Sequence, residues 1–226
     1  MGISTSLSRT LLSWSSGKDS AWSLHTLRQQ GVYEVVGLLT TINAAFDRVA
    51  MHGTRTSVLR AQAAAAGMPL TEVPLPWPCS NQQYEAAMRD ACAAAVRNGI
   101  EFMAFGDLYL EDVRRYREER LAGTGIAPVF PLWGRDTHAL VHEMLDGGLR
   151  ARITCVDPRK LPASFAGREL DASLLTELPP GTDPCAENGE FHTCAYAGPI
   201  FAEPISLAPG VVEQHDDFVF ADFILQ

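Results

Sequence analysis

The sequence lacks any run of 18 uninterrupted apolar residues, and no long apolar run follows its first residues. A membrane-spanning helix needs about 20 apolar residues, and a signal peptide needs an apolar run of about 7 to 15 residues. The pattern therefore predicts neither a membrane span nor a signal peptide. We expect the 226-residue chain to be a cytoplasmic protein.

Positive charge is also scarce. The chain has 18 Lys and Arg against 27 Asp and Glu, which gives a formal net charge of −9. Such a protein has no overall field that attracts nucleic acid or an anionic membrane. We expect neither among its partners.

The cysteines lack the C-x-x-C spacing of redox and zinc motifs, and their number is odd, which disfavours a disulfide framework. They are Cys79, Cys92, Cys155, Cys185 and Cys194. A zinc site made of Cys185, His192 and Cys194 would have irregular ligand spacing. The pattern favours reduced thiols.

Two common nucleotide-binding fingerprints are missing. In the Walker P-loop, G-x-x-x-x-G-K-[ST], the first glycine is replaced here by Leu12, and Asp19 stands where Ser or Thr should bind magnesium. A dinucleotide-binding G-x-G-x-x-G is absent as well. If the chain binds a nucleotide, it uses another loop.

Strand and helix patterns alternate along the first two-thirds of the chain. The predicted strands are 11–14, 35–39, 70–73, 101–105 and 151–156, and helices are predicted up to Gly31 and over 54–66, 84–97, 114–122 and 137–146. Alternation of this kind predicts an α/β fold, a Rossmann-like parallel sheet with helices on both faces. After about residue 160 proline and glycine become frequent, and residues 199–223 contain short β segments. We therefore predict a nucleotide-binding domain over 1–160 and a small C-terminal α+β lobe over 161–226, which would bind the substrate.

The loop between the first strand and the first helix reads Ser15-Ser16-Gly17-Lys18-Asp19-Ser20; we call residues 15–20 the phosphate turn. Unpaired N–H groups at a helix N-terminus attract anions. The serines add hydroxyl donors, the glycine allows close approach, and Lys18 adds charge. The sequence predicts a phosphate site here, although Ser and Asp before a helix are also common as plain caps.

The phosphate turn resembles the S-G-G-x-D-S motif of the PP-loop ATP pyrophosphatases, with Ser16 at the first glycine. That resemblance implies a fold of the HUP/PP-loop type, ATP and Mg²⁺ as ligands, cleavage to AMP and pyrophosphate, and Asp19 as a magnesium ligand. Other nucleotide-side candidates come from the ends of the following strands: Thr40 for the adenine pocket, His52, and Gly106-Asp107 at a carboxyl edge of the sheet, where open α/β sheets bind ligands. The full predicted nucleotide set is Ser13, Trp14, Ser15, Ser16, Gly17, Lys18, Asp19, Ser20, Thr40, His52, Gly106 and Asp107.

Two further stretches resemble the diphthine–ammonia ligase family within that superfamily. They are FGDLYLEDVRRYREERLAGTGIAPVFPLWGRDT (105–137) and CAENGEFHTCAYAGPIF (185–201). The second contains the run Glu187-Asn188-Gly189-Glu190-Phe191-His192-Thr193, which we call the signature segment. Its carboxylates, amide, imidazole and hydroxyl are groups that can bind magnesium, orient an acceptor or position ammonia.

The family resemblance implies an ATP-dependent ligase that forms C–N bonds. A carboxylate attacks the α-phosphate of ATP, pyrophosphate leaves, and ammonia then displaces AMP from the acyl-adenylate. The phosphate turn, with Lys18 and Asp19, would neutralise the leaving pyrophosphate, and acceptor and ammonia would be handled by Glu187, Asn188, Glu190, His192 and Thr193. The acceptor would be elongation factor two if diphthine is the substrate, and otherwise a related carboxylate.

Two other functions remain open at this stage. A tRNA-modifying PP-loop enzyme would call for a basic RNA-binding extension or paired catalytic cysteines, and a non-catalytic ATP-binding regulator would have no use for the signature segment. A homodimer is the ordinary expectation for a soluble enzyme of this size.

Overall fold

The computed structural model describes residues 7–50 and 52–226. Its first sheet has a parallel core of five strands in the order β4-β2-β1-β5-β6, and a sixth strand of two residues, β3, runs antiparallel to β2. The strands are β1 (Ser8–Ser13), β2 (Tyr33–Asn43), β3 (Arg48–Val49), β4 (Leu70–Leu75), β5 (Phe102–Ala104) and β6 (Ala127–Val129). The predicted Rossmann-like parallel sheet is confirmed.

Helices cover both faces of this sheet. They are α1 (Lys18–Gln30), α2 (Thr56–Ala65), α3 (Asn81–Arg97), α4 (Glu111–Leu121) and α5 (Thr137–Asp146). Successive residues of a strand point to opposite faces, so Leu12 packs in a cluster with α1, α2 and α5 while Leu11 packs in another with α3 and α4. Both neighbours are buried, which is why the strand is a continuous apolar run rather than an alternating one.

The C-terminal lobe is a separate antiparallel sheet in the order β8-β7-β10-β9. Its strands are β7 (Arg150–Val156), β8 (Phe191–Ala197), β9 (Leu207–His215) and β10 (Phe218–Leu225), and the short helix α6 (Ala172–Glu177) follows a 3₁₀ turn at Ala163–Phe165. The predicted C-terminal lobe is confirmed, whereas the boundary at residue 160 stays a prediction.

Three predictions about strands were wrong. Residues 151–156 form a strand of the antiparallel sheet, not of the parallel one, because an apolar run does not reveal its partner. The fifth parallel strand is instead β6, which is only three residues long and contains Pro128. The short β segments expected over 199–223 are two long paired strands, and β8 (Phe191–Ala197) is a strand that was not among those predicted.

The two sheets are tied together by a carboxylate on β10. Asp222, whose side chain is 7% exposed, bonds to Arg48 at 2.7 Å and to Arg55 beside α2. Within the described ranges no helix is long and apolar enough to cross a membrane. All five cysteines are free thiols.

Candidate functional site

The phosphate turn has the backbone of a glycine-rich loop, although a serine stands in it. Ser16 has φ 66°, in the left-handed region, and is fully buried. Gly17, the N-cap of α1, is extended, and a Cβ there would lie 3.2 Å from the carbonyl oxygen of Thr193. The turn therefore lies directly against strand β8 of the C-terminal lobe.

Strand β8 completes the turn through hydrogen bonds. The Lys18 backbone N–H donates to Thr193 Oγ1 at 3.1 Å, and the Ala195 N–H donates to the Ser16 carbonyl at 2.9 Å. Gln62 of α2 reinforces the junction, because its amide donates to the carbonyls of Ser16 (3.0 Å) and Ala195 (2.6 Å). One donor of the α1 N-terminus is thus satisfied by the signature segment rather than left for an anion.

Lys18 is held inside the protein. Its ammonium donates to Asp19 Oδ2 at 2.8 Å and to the Cys185 carbonyl, and the residue is 2% exposed. Burial opposes its charge, but the carboxylates of Asp19 and Asp183 outweigh that effect and raise the pKa of Lys18. Asp19 Oδ1 has no hydrogen-bond partner among the described residues. The pair therefore leaves one buried acceptor available to a ligand.

The carboxyl end of β5 packs on the same helix start. A Cβ on Gly106 would lie 3.0 Å from the Asp19 carbonyl carbon, so only glycine fits. The next residues bind elsewhere: Asp107 accepts from Arg117 at 3.3 Å, and the Leu108 N–H donates to Glu187 Oε1 at 2.8 Å. Burial raises the pKa of Glu187 to about 7, and the charge of Asp19 adds to the effect.

The second glutamate of the signature segment faces the other way. Glu190, 4% exposed, accepts from the Asp183 N–H and from the Asn188 amide, both at 3.2 Å. Asp183 in turn accepts from the Glu187 N–H at 2.8 Å and from the Tyr109 hydroxyl at 3.4 Å. The two glutamates thus lie on different sides of one tight loop.

Two imidazole rings lie in contact between the lobes, tilted against each other by 47°. The ring centroids of His52 and His192 are 4.4 Å apart. Burial lowers the pKa of His192 to about 4 and that of His52 well below its ordinary value. Both rings are neutral at pH 7, and His52 Nδ1 is buried without a described partner.

The remaining predicted residues lie in the turn or next to it and form hydrogen bonds within the protein. Ser13 ends β1, the Trp14 indole donates to Gln62 at 3.0 Å, and Thr40 donates to the Trp14 carbonyl at 2.7 Å. The Thr40 hydroxyl is therefore already engaged by the backbone. Ser20 Oγ donates to the Gly17 carbonyl at 3.0 Å, and Ser15 Oγ donates to Ser20 at 3.3 Å.

The structure thus brings the phosphate turn, Gly106 and the signature segment together. Sequence reasoning missed Gln62, Tyr109 and Asp183. Gln62 and Asp183 have no motif around them, and Tyr109 lies within the 105–137 stretch without any feature that marks it there, so only burial or contacts identify the three. Asp183 had one available signal, since it lies four residues before Glu187.

Magnesium is the metal that the sequence implies. Within residues 7–50 and 52–226, no group of three or more His, Cys, Asp and Glu side chains is placed to hold a metal ion. Mg²⁺ is usually bound by one or two carboxylates together with substrate phosphates and water. The single unpartnered oxygen of Asp19 beside an anion-binding turn fits that mode, with the phosphates supplying the other ligands.

Comparison with known proteins agrees with this geometry. Residues 8–126 match the family model of the diphthamide synthase N-terminal domain, and residues 136–222 match that of the C-terminal domain. A diphthine–ammonia ligase of Danio rerio is 33% identical over 119 residues, which cover 50% of this chain and 46% of that protein. The match therefore spans less than half of that relative's length. The two family models cover both lobes in order, and on that basis the chain belongs to the diphthamide synthase family.

Proposed function

We propose that this protein is an ATP-dependent ligase that amidates a carboxylate with ammonia and releases AMP and pyrophosphate. The proposed acceptor is diphthine, which the name of the zebrafish relative contains, and we propose that it is carried on elongation factor two. ATP and Mg²⁺ are the proposed ligands of the phosphate turn, and the cytoplasm is the proposed compartment.

The direct contact between the signature segment and the phosphate turn carries this proposal. Thr193 accepts from the first N–H of α1, and Glu187 accepts from the N–H that follows Gly106-Asp107. A carboxylate bound near the signature segment would therefore lie next to the α-phosphate of ATP in the turn. Such positioning is the main contribution that a protein makes to adenylation.

Each part of the chain has a role in the proposal. The start of α1 and Gly17 bind the phosphates, and Asp19 provides one magnesium ligand. Ammonium must lose a proton before it can attack, and we assign that proton to Glu187, since a general base works best when its pKa is near the operating pH. The neutral His52–His192 pair closes the site toward the C-terminal lobe.

Product analysis with labelled ATP tests the proposal. The chain is incubated with Mg²⁺, ammonium and elongation factor two that bears diphthine, with and without each component. We expect AMP and pyrophosphate to form only when the acceptor is present, and an Asp19→Asn variant to lose turnover. Release of ADP, or intact ATP despite measurable binding, would contradict the ligase proposal and indicate a nucleotide-binding regulator.

A further inference from the structure

Two buried carboxylates, Glu190 of the signature segment and Asp183 just before it, have no cationic side chain of their own among the described residues. Asp183 is 8% exposed and Glu190 is 4% exposed. Neither forms a salt bridge with any described residue, and the nearby Lys18 ammonium is already bound by Asp19 and the Cys185 carbonyl. Buried carboxylates are costly unless a cation compensates them.

One oxygen of this pair is unpartnered. Glu190 Oε1 accepts two hydrogen bonds, but Glu190 Oε2 is buried with no partner among the described residues. A buried acceptor that is left unsatisfied is unfavourable, and more so when it is charged. The loop therefore contains carboxylates without a salt-bridge partner among the described residues and one oxygen, Glu190 Oε2, without a hydrogen-bond donor.

A cavity of about 660 Å³ leads to this place. Its outer walls are formed by α5, α6 and the Pro179-Pro180 segment, and its inner end by Tyr109, Asp183 and Asn188. Glu190 lies directly behind that end, since it is bonded to both Asp183 and Asn188. Asp183 lines the cavity, so a small solute can reach it without passing the phosphate turn, and the Glu190 side chain lies one hydrogen bond behind it.

We propose that the inner end of this cavity, at Asp183, Glu190 and Tyr109, binds ammonium, the nitrogen substrate of the reaction. This inference rests on the proposed ligase function. Ammonium has only donors, and the site presents two carboxylates and a phenolic oxygen to receive them. A metal ion suits the site less well, because no three ligating side chains are clustered within the described ranges.

The loop also links this site to the chemistry. The Glu187 N–H donates to Asp183 Oδ2 at 2.8 Å, while the Glu187 side chain is turned toward Leu108 and the phosphate turn. Ammonium held by Asp183 and Glu190 would thus lie beside the backbone of Glu187, whose side chain, on the other side of the loop, is the base proposed to deprotonate it. Nitrogen enters from one side of the loop and ATP binds on the other.

Ammonium binding is tested directly by thermal unfolding of the full chain in ammonium chloride against sodium chloride at equal concentration. We expect ammonium to raise the Tm of the wild type by a few degrees, since a ligand that binds only the native state stabilises it. Glu190→Gln keeps an acceptor for Asp183 and Asn188 but removes the charge. It should therefore abolish the difference in Tm between the two salts. The exposed Glu203→Gln is the matched control and should keep it. Equal Tm values for the wild type in both salts, or an undiminished shift in Glu190→Gln, would overturn the site.

A kinetic measurement separates this inference from the proposed function. If the wild type forms the amide, Glu190→Gln should raise the KM for ammonium about tenfold and the KM for ATP much less. Tyr109→Phe serves as a second variant should Glu190→Gln fail to fold, and should raise the KM for ammonium by a smaller factor. Amidation with an unchanged KM for ammonium in both variants would overturn the site alone. A wild type that binds ammonium through Glu190 but forms no amide would support the site and overturn the ligase proposal.

Discussion

Ser16 holds the phosphate turn in a conformation that side chains rarely adopt. Its φ of 66° lies in the left-handed region, where an L-residue other than glycine costs about 1–2 kcal/mol. The hydroxyl offsets part of this cost by donating to the neighbouring Ser15 carbonyl. The backbone needed by a glycine-rich loop is therefore kept, at the expense of strain.

Replacing this residue tests the strain. Ser16→Gly should raise the free energy of unfolding by about 0.5–1 kcal/mol, because the strain is relieved and only one weak hydrogen bond is lost. Ser16→Ala keeps the backbone strain and loses the hydrogen bond of the hydroxyl, so it should lower the free energy of unfolding. Urea unfolding at neutral pH measures both variants. A destabilised Ser16→Gly would show that the hydroxyl matters more than the backbone.

The protonation of Glu187 gives the protein a distinctive pH dependence. Its pKa is raised from 4.5 to about 7 by burial, so between these values the folded chain binds more protons than the unfolded chain. The stability it contributes is full below about pH 4.5 and is lost as the pH rises through about 7.

Comparison of wild type with Glu187→Gln isolates this effect. We expect the free energy of unfolding of the wild type, minus that of the variant, to fall between about pH 5 and about pH 8. The fall of this difference with pH cannot be steeper than about 1.4 kcal/mol per pH unit, the value for one proton. It should stay below that limit because the side chain is partly exposed. Parallel pH curves for the two proteins would mean that Glu187 titrates as it does in water.

At the scale of the element, strand β8 and helix α1 behave as one unit. Thr193 caps an N–H of α1, and Gln62 of α2 bridges the phosphate turn to Ala195. An N-terminal donor left unsatisfied inside the protein destabilises a helix. The signature segment thus has a structural role in the turn, in addition to the chemical role proposed for it.

Thr193→Val removes the acceptor while keeping the shape. We expect it to lower the free energy of unfolding by about 1–2 kcal/mol and to weaken ATP binding, because the start of α1 is no longer fixed. Thr193→Ser retains the hydroxyl and should stay close to the wild type in both. Chemical denaturation and nucleotide titration measure the two effects. Equal behaviour of valine and serine at this position would contradict the capping role.

The sequence predicts its long elements better than its short ones. Helix α5 has the predicted bounds. Its buried apolar residues, Leu140, Val141 and Met144, recur at helical spacing, and Asp136 caps its start. Helix α3 begins at Asn81 rather than at residue 84, since a capping box at Ser80 and Gln83 starts it earlier. Strand β6 has three residues and a proline, too few for any periodicity to appear.

The candidate site also contains residues that the sequence pattern predicts and residues that it does not. The phosphate turn and the signature segment are contiguous runs of polar residues, so their spacing alone marked them for attention. Gln62, Tyr109 and Asp183 reach the site from separate loops and helices, and their roles depend on burial and on partners far along the chain. Local pattern carries no information about such contacts.

At the scale of the whole molecule, a single carboxylate joins the two sheets. Asp222 of β10 accepts hydrogen bonds from the guanidinium groups of Arg48, which lies in β3, and Arg55, which precedes α2. Burial opposes the charge of Asp222, but the hydrogen bonds from Arg55 and Arg48 hold its pKa below the ordinary value. The link is the main ionic contact between β10 and the α2 region.

Asp222→Asn should weaken the contact between the two sheets and so lower the stability of the protein. Removing one partner of a buried ion pair is strongly destabilising, but the arginine side chains are 32% and 41% exposed and stay partly hydrated. We therefore expect a loss of about 1–3 kcal/mol in the free energy of unfolding. Glu177→Gln, which breaks the exposed pair with Arg168, is the control and should change nothing measurable. An equal effect of both variants would mean that Asp222 does not join the sheets.

The contact between Thr193 and Lys18 spans 175 positions of the chain, which has a consequence for the order of synthesis. The phosphate turn leaves the ribosome early, but the strand that completes it is made only after most of the protein has been translated. A nascent chain that ends before β8 has a turn without its cap and a lysine without the Cys185 carbonyl. The proposed nucleotide binding would therefore be a property that the growing polypeptide acquires late, so that a stalled or truncated product would not sequester ATP.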